Sequence, residues 1–433
     1  MLLCVQLGYY SGIIAGALVD SLPNLVSYGI AAGLSLISYG GLAYTIGSEF
    51  EFWQQMLTCF LLFLCGLGAS IGTVTSIVTN VKNFDDKVST LLVAILITYM
   101  KMSQNFDEAL KEGFFPEADD QIYLIILGVL TTTVCILGMF TMRKVELGQI
   151  LETVSKETDP LGVLIYIASC GLYLFTYWVL VKFFNIYTAG VPVILFFLVL
   201  NFLLLGAAVF LVYTKVKSGK GVGLSSLSNA LKKKEQLHLG DMAGKLKYWC
   251  LLIATMMIVG AGYSFQENSV KLAAEAQAIG TIQIADSVFW LTDALGRFGG
   301  GVLAYFLVES VNGYIFALIW AACSLIGNSI VFAIIGLDID SGFLIILLSF
   351  FQGLGIGGIW VVVPQILIDD AGDEGFGKNW GLSILFAYIG MFTFDWLIFM
   401  MELGFLVSLL FVVMGLIAVI CTFLGWKDDE KNK

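Results

Sequence analysis

The chain has 433 residues, 59% of them hydrophobic and only 13% charged, with a mean hydropathy of +0.92. Soluble proteins carry about a quarter charged residues, so this composition excludes an ordinary water-soluble domain and points to a bundle of membrane-spanning helices. The net charge of −11 lies in short loops, and no basic stripe is interleaved with aromatics, which excludes nucleic acid as a partner.

A span needs about 20 apolar residues to cross roughly 30 Å of hydrocarbon. On that measure the sequence predicts an all-α fold of thirteen spans, at 2–19, 24–46, 55–79, 88–106, 121–142, 162–183, 190–214, 246–265, 285–308, 313–337, 342–366, 381–399 and 403–425. The 47 glycines, against five prolines, suit helices that pack backbone to backbone. All eight cysteines fall in or beside apolar runs without metal-ligand spacing and read as small core residues. The single His238 lies in a polar connector, which excludes an imidazole metal cluster and a histidine-based triad. No metal or cofactor site is expected, and without a nucleophile–base–acid set or a phosphate loop neither is an enzyme.

Lysine and arginine placement sets the orientation. With 2–19 running from outside to inside, 17 of the 22 basic residues fall on the cytoplasmic side, including eight from Lys215 to Lys247. The outer loops "SEFEF", "NFDEALKEGFFPEADD" and "GLDIDSG" are acidic. They read as solvated loop charge, with a cation-concentrating vestibule as the alternative. The connector 215–247 contains "ALKKKEQLHLGD", a solvated linker or a contact with anionic lipid. The expected organisation is a front half-bundle over 1–142, two further spans and the connector over 143–245, a six-span back half over 246–425 and a cytoplasmic tail over 426–433.

Two stretches repeat at nearly one offset. "GIIAGALVDS" (Gly12–Ser21) resembles "GVLAYFLVES" (Gly301–Ser310), and "CGLGASIG" (Cys65–Gly72) resembles "QGLGIGG" (Gln352–Gly358). Both members of each pair run in the same direction, which describes parallel repeats about an axis along the membrane normal. The glycines of these runs, Gly353 and Gly355 among them, read as helix-packing faces. Asp20 and Glu309 hold matched positions at cytoplasmic span ends and are candidates for gating or helix capping.

With these motifs the chain resembles the nodulin-like group of the major facilitator superfamily, related to monocarboxylate transporters. "SGIIAGALVDSLP" is similar to the group's second span and the aspartate turn after it. "VTNVKNF" (Val78–Phe84) is similar to its Asn-Phe signature after the fourth span. "GLGIGGIWVVVPQI" followed by "GFGKNWG" (Gly375–Gly381) is similar to its tenth span and the next loop. The resemblance implies that the family's first span has no counterpart after Met1, and that 162–183 and 190–214 form an extra pair between the halves. The loop "DSLPN" lacks the basic residues of the general facilitator motif. The lysine that the group carries early in its fifth span aligns with Ile95, and Lys101 is nearby but not equivalent.

"WLTDALGRFGGG" (Trp290–Gly301) places Asp293 and Arg297 one helical turn apart in an apolar run. An arginine at mid-span costs about 2.5–3.5 kcal/mol on insertion scales, which a carboxylate at i−4 offsets in part. The pair resembles the Asp-x-x-x-Arg of monocarboxylate transporters, where the arginine meets the substrate carboxylate and the aspartate takes part in proton coupling. A fixed ion pair between helices is the alternative. Gly299, Gly300 and Gly301 are expected to permit close helix approach just inward of the pair. Glu267 and Asn268 read as pathway lining or a solvated helix end, Lys101 as a snorkelling or pathway lysine, and Asp286 and Asp395 as residues near the outer boundary.

The expectation is therefore a secondary transporter of a small organic anion, coupled to protons and working by alternating access. It would reside in the plasma membrane or in a vacuolar or other endomembrane, with a monomer favoured. A carrier of a neutral metabolite and a non-transporting sensor or scaffold are the alternatives.

Overall fold

The computed structural model describes residues 2–46, 52–83, 92–98, 100, 111, 119–142, 238–307, 311–372, 375–401 and 404–432. Among them the regular structure is entirely helical. The expected spans 162–183 and 190–214 lie outside the described residues, as does most of 88–106.

The front group comprises α1 (Leu2–Tyr9), α2 (Gly12–Ser21), α3 (Asn24–Ile46), α4 (Phe52–Asn83), the helical residues 92–98 (α5) and α6 (Asp120–Thr141). The expected span 2–19 is thus two helices, broken at Tyr10 and Ser11. The Ser11 hydroxyl donates to the Leu7 carbonyl (2.6 Å), while its backbone, at φ −68° and ψ 37°, leaves the helical region. Tertiary packing holds the break. A Cβ on Gly8 would collide with the backbone of α4 at Phe63, and one on Gly66 with the backbone of α1. Behind this pair, α3 is tied to α4 by Asn24 Nδ2 donating to Thr79 Oγ1 (2.7 Å) and by the Tyr28–Ser76 hydroxyl contact (2.7 Å).

The back group comprises α7 (Leu239–Ala243), α8 (Leu246–Glu267), α9 (Ser269–Glu275), α10 (Ile282–Leu307), α11 (Gly313–Val331), α12 (Gly342–Ala371), α13 (Phe376–Met401) and α14 (Phe405–Asn432). α11 ends in a widened π turn, Phe332–Gly336. The tail expected over 426–433 instead continues α14 as far as Asn432. Its charge run is pinned to the bundle, because Lys247 at the start of α8 sits buried between Asp370 at the end of α12 and Asp429 of α14 (2.7 Å to the latter). Asn312 donates to the other oxygen of Asp429 (2.7 Å). Four helix ends meet at this clasp.

Eight of the described helices are long and apolar enough to cross a membrane, and the chain is a multi-pass integral membrane protein. α10 matches them in length but carries Asp286, Asp293 and Arg297. Position in the bundle follows from burial. The most apolar stretches of α8 and α12 are 78% and 72% buried and that of α6 only 11%, so α8 and α12 are the inner helices of the back group and α6 is a rim helix. The outward side chains of α6, Ile125, Val129, Val134 and Phe140 among them, are large and apolar, as hydrocarbon requires.

A guanidinium-lined cavity between two helix groups

Arg297 is the sixteenth of the 26 residues of α10, roughly 15 Å from the helix end at about 1.5 Å per residue. Its Nε donates to Asp293 Oδ1 (2.8 Å) and its Nη2 to Asp293 Oδ2 (3.3 Å), a two-bonded fork one turn apart. Its Nη1 reaches across to the front group and donates to the carbonyl of Ile97 in α5 (3.1 Å). A guanidinium has five N–H donors, and these three bonds leave two unspent.

The two members of the pair differ in position. Asp293 is 0% exposed and Arg297 4%. Glycines of α12 press on the backbone of α10 beside the aspartate. A Cβ on Gly357 would collide with the Asp293 carbonyl, and one on Gly353 would lie 2.5 Å from the Phe289 carbonyl. Arg297 lines a cavity and Asp293 stands behind it.

The cavity holds about 60 Å³, room for a few waters at roughly 10–15 Å³ each. Tyr9 and Tyr10, at the break between α1 and α2, and Ser70 and Thr73 of α4 form the front wall. Tyr263 of α8, Trp360 of α12 and Trp380 of α13 form the back wall with Arg297. Tyr10 also stacks on Tyr388 of α13, with ring centroids 5.5 Å apart. Sequence reasoning passed over these aromatic and hydroxyl residues. The signal was the doublet in "GYYSG", polar-tipped rings at a point where glycine and serine weaken the helix.

The remaining candidate residues scatter. Glu267 is exposed at the end of α8, while Asn268 is buried and its Nδ2 donates to the Ser264 carbonyl (2.9 Å). Neither reaches the cavity wall. Lys101 and Glu309 lie outside the described residues. The three successive glycines of α10 are not equivalent. A Cβ on Gly299 would meet nothing, one on Gly300 would make ordinary contact with Trp320, and one on Gly301 would collide with Ala94 of α5. Only Gly301 is needed for close approach. Gly353 and Gly355 both serve packing but on different neighbours, since a Cβ on Gly355 would press on Ser324 of α11 at 3.2 Å.

At the end of the bundle that carries Asp20 the three motifs noted in the sequence come together. Asp20 Oδ1 pairs with Lys82 of "VTNVKNF" (3.2 Å), and its Oδ2 accepts from the backbone N–H of Lys378 in "GFGKNWG" (2.9 Å). Gly377 makes room for this carboxylate, since a Cβ there would lie 2.6 Å from Asp20 Oδ1. Above it α2 and α13 touch at backbone level, where Gly12 and Gly16 meet the carbonyls of Gly381 and Gly377. Although "DSLPN" has no basic residue, Asp20 finds its cation on α4.

A family model described as Nodulin-like matches residues 1–212. Across the whole chain, solved facilitator structures share the helix arrangement at low identity. A double-tryptophan mutant of XylE matches at a TM-score of 0.57 with 14% identity, covering 98% of this chain and 84% of that one. The first 212 residues are thus similar to the nodulin-like family, and the chain as a whole has the fold of the solved facilitator structures. The partially occluded inward-open xylose transporter XylE from E. coli matches this chain at 0.54 with 13% identity, over 98% and 86% of the two chains. The human organic anion transporter MFSD10 (TETRAN) matches at 0.55 with 12% identity, over 98% and 82%. No curated protein sequence matches. The fold is one that these solved membrane transporters share.

Proposed function

We propose that this protein is a secondary transporter that carries a small organic anion together with a proton by alternating access. The observation that supports this most is the position of Arg297, a mid-helix guanidinium with donors left over, on the wall of a cavity between the two groups. A guanidinium fork matches a carboxylate in shape and charge. In this reading the cargo carboxylate competes with Asp293 for Arg297, and the released aspartate takes up the co-transported proton. Asp293 therefore acts from behind the cavity wall. The lysine and arginine distribution makes the Asp20 end cytoplasmic, so the Asp20–Lys82 pair and the Lys378 N–H act as the latch that holds that side closed. A cavity of about 60 Å³ must enlarge to admit cargo, which requires the halves to move apart.

The test is uptake of labelled monocarboxylates into proteoliposomes under an imposed pH gradient. Uptake should rise with an inward proton gradient and vanish in Arg297→Ala; uptake that survives this substitution rejects the role given to the arginine. The two-bonded Asp293–Arg297 fork favours one second reading, a neutral cargo with the ion pair purely structural. A panel of ligands scored by thermal shift separates the two, since only the second predicts stabilisation by neutral metabolites and none by carboxylates.

A further inference from the structure

A second hollow lies at the Asp20 end of the bundle, about 680 Å³ against about 60 Å³ for the cavity at Arg297. That volume falls within the roughly 300–1,000 Å³ of small-molecule sites. Its described walls come from both helix groups and from the approach to α7. Asp20 of α2 and Lys82 of α4 stand on one side, Lys378 of α13 on the other, and His238 at the mouth.

The hydrogen-bonding capacity of these walls is one-sided. Asp20 is the one acid among the described lining residues, and both its oxygens are engaged, Oδ1 with Lys82 Nζ (3.2 Å) and Oδ2 with the Lys378 backbone N–H (2.9 Å). An ammonium carries three N–H donors. Lys82 gives one to Asp20, and the Lys378 side chain gives none among the described residues. His238 adds an exposed imidazole, fixed in place by its backbone N–H donating to Asp241 (3.1 Å). The cleft thus has donors and positive charge to offer, in a chain whose net charge is −11. Its free donors come from three separate elements, more than the two oxygens of a second carboxylate would occupy. A phosphate group supplies three acceptor oxygens and a charge of about −1.5 to −2.

We infer that this cleft binds a phosphate group, carried by a soluble metabolite or a lipid headgroup, between Lys82 and Lys378, and that the ligand straps the front and back groups together. The binding stands apart from the proposed function, whereas the strap rests on its alternating-access reading. The Asp20–Lys82 ion pair stays within the front group, and what crosses to α13 is a bond to a neutral backbone N–H. An anion held by both lysines adds an ionic link across the same gap. It favours the closed end by the difference in its affinity for the closed and open forms.

The experiment titrates the purified full-length protein in detergent with pyrophosphate, with sodium chloride at matched ionic strength as the reference, and reads apparent affinity by thermal shift. Pyrophosphate should stabilise the protein where chloride does not. Lys378→Gln keeps the backbone N–H that Asp20 uses and should weaken pyrophosphate at least about tenfold, as loss of one hydrogen bond between charged groups implies. His238→Gln should weaken it several-fold. Equal stabilisation by chloride, or an affinity unchanged in both variants, overturns the inference and leaves the carrier reading of the Arg297 cavity untouched. Nanodiscs of phosphatidylcholine with and without phosphatidylinositol 4-phosphate identify the source: competition by the lipid assigns the phosphate to a headgroup, and unchanged pyrophosphate affinity assigns it to a soluble compound. The strap is read in reconstituted vesicles with a cysteine at Thr73, on the wall of the Arg297 cavity, in a background without the native cysteines. Pyrophosphate should slow its labelling by an impermeant thiol reagent added from the Asp20 side, and Lys378→Gln should remove that protection. Binding without slower labelling overturns the strap. A cysteine that the reagent never reaches, in protein that still binds pyrophosphate, means that alternating access and the strap fail while the phosphate site stands.

Discussion

Among the described residues two seams join the front and back groups, one between α2 and α13 and the other between α5 and α10. Both rely on glycine. Gly12 and Gly16 meet Gly381 and Gly377 in the first, and Gly301 meets Ala94 in the second. They differ in where the charge sits. The first carries its ion pair at its end, beyond the zipped helices, where Asp20 meets Lys82 and the Lys378 N–H. The second carries its charge at mid-helix, where Arg297 bonds the Ile97 carbonyl and lines the cavity at once. In the proposed function the first seam is a latch remote from the cargo. The second is one that a cargo would address directly, because whatever draws the guanidinium into the cavity competes with the bond across the seam.

The sharpest way to break this comparison is at the second seam. Arg297→Ala leaves Asp293 buried without its cation, which should cost about 3–5 kcal/mol and lower the melting temperature in detergent well below that of any other single variant described here. The double replacement Asp293→Leu with Arg297→Met removes both charges and should be less destabilising than Arg297→Ala alone. A double variant as unstable as the single one would show that the pair is not an isolated unit.

Next come the crossings. Gly16→Val and Gly301→Val each drive a branched side chain into the opposing helix and should cost about 1–3 kcal/mol, read as melting temperature. If the seams are equivalent in packing and different in charge, the two losses should be similar. A smaller effect follows from Asp20→Ala, which removes one ion pair and one cap on the Lys378 N–H. It should cost about 1 kcal/mol or less given the partial exposure of Lys82, yet raise the fraction of protein open at that end, read by labelling of a cysteine placed at Thr73 on the cavity wall with an impermeant thiol reagent added from that side. Smallest of all is Gly299→Ala. Nothing lies within reach of its Cβ, so alanine should stabilise α10 by up to about 0.5–1 kcal/mol without altering uptake.

The long apolar elements were legible because hydrocarbon imposes a length and a composition. The run after Pro23 gives α3 at Asn24–Ile46, and α10 closes near the position its apolar run indicates. The i, i+4 spacing of Asp293 and Arg297 sufficed to pair them. What stayed hidden depends on non-local partners. No proline announces the break at Tyr10, which exists because α1 lies on α4 through Gly8 and Gly66. Lys247 and Asp429 look like solvent-facing loop and tail charges until Asp370 is brought between their helices. Within "GGG" the residues are chemically identical, and only the helix opposite distinguishes Gly301 from Gly299. The same holds for Lys82 and Lys378, whose shared cleft cannot be read from a one-dimensional pattern.

The central claim is that the Arg297 guanidinium faces water-accessible space between the two halves during the working cycle. A single cysteine in place of Ser70, on the opposite wall, in a background with the eight native cysteines replaced, tests it most directly. Negatively charged thiol reagents should label this position faster than positively charged ones of the same size, and Arg297→Gln should abolish or reverse that preference. Equal rates for both reagents, unchanged by Arg297→Gln, would contradict the account.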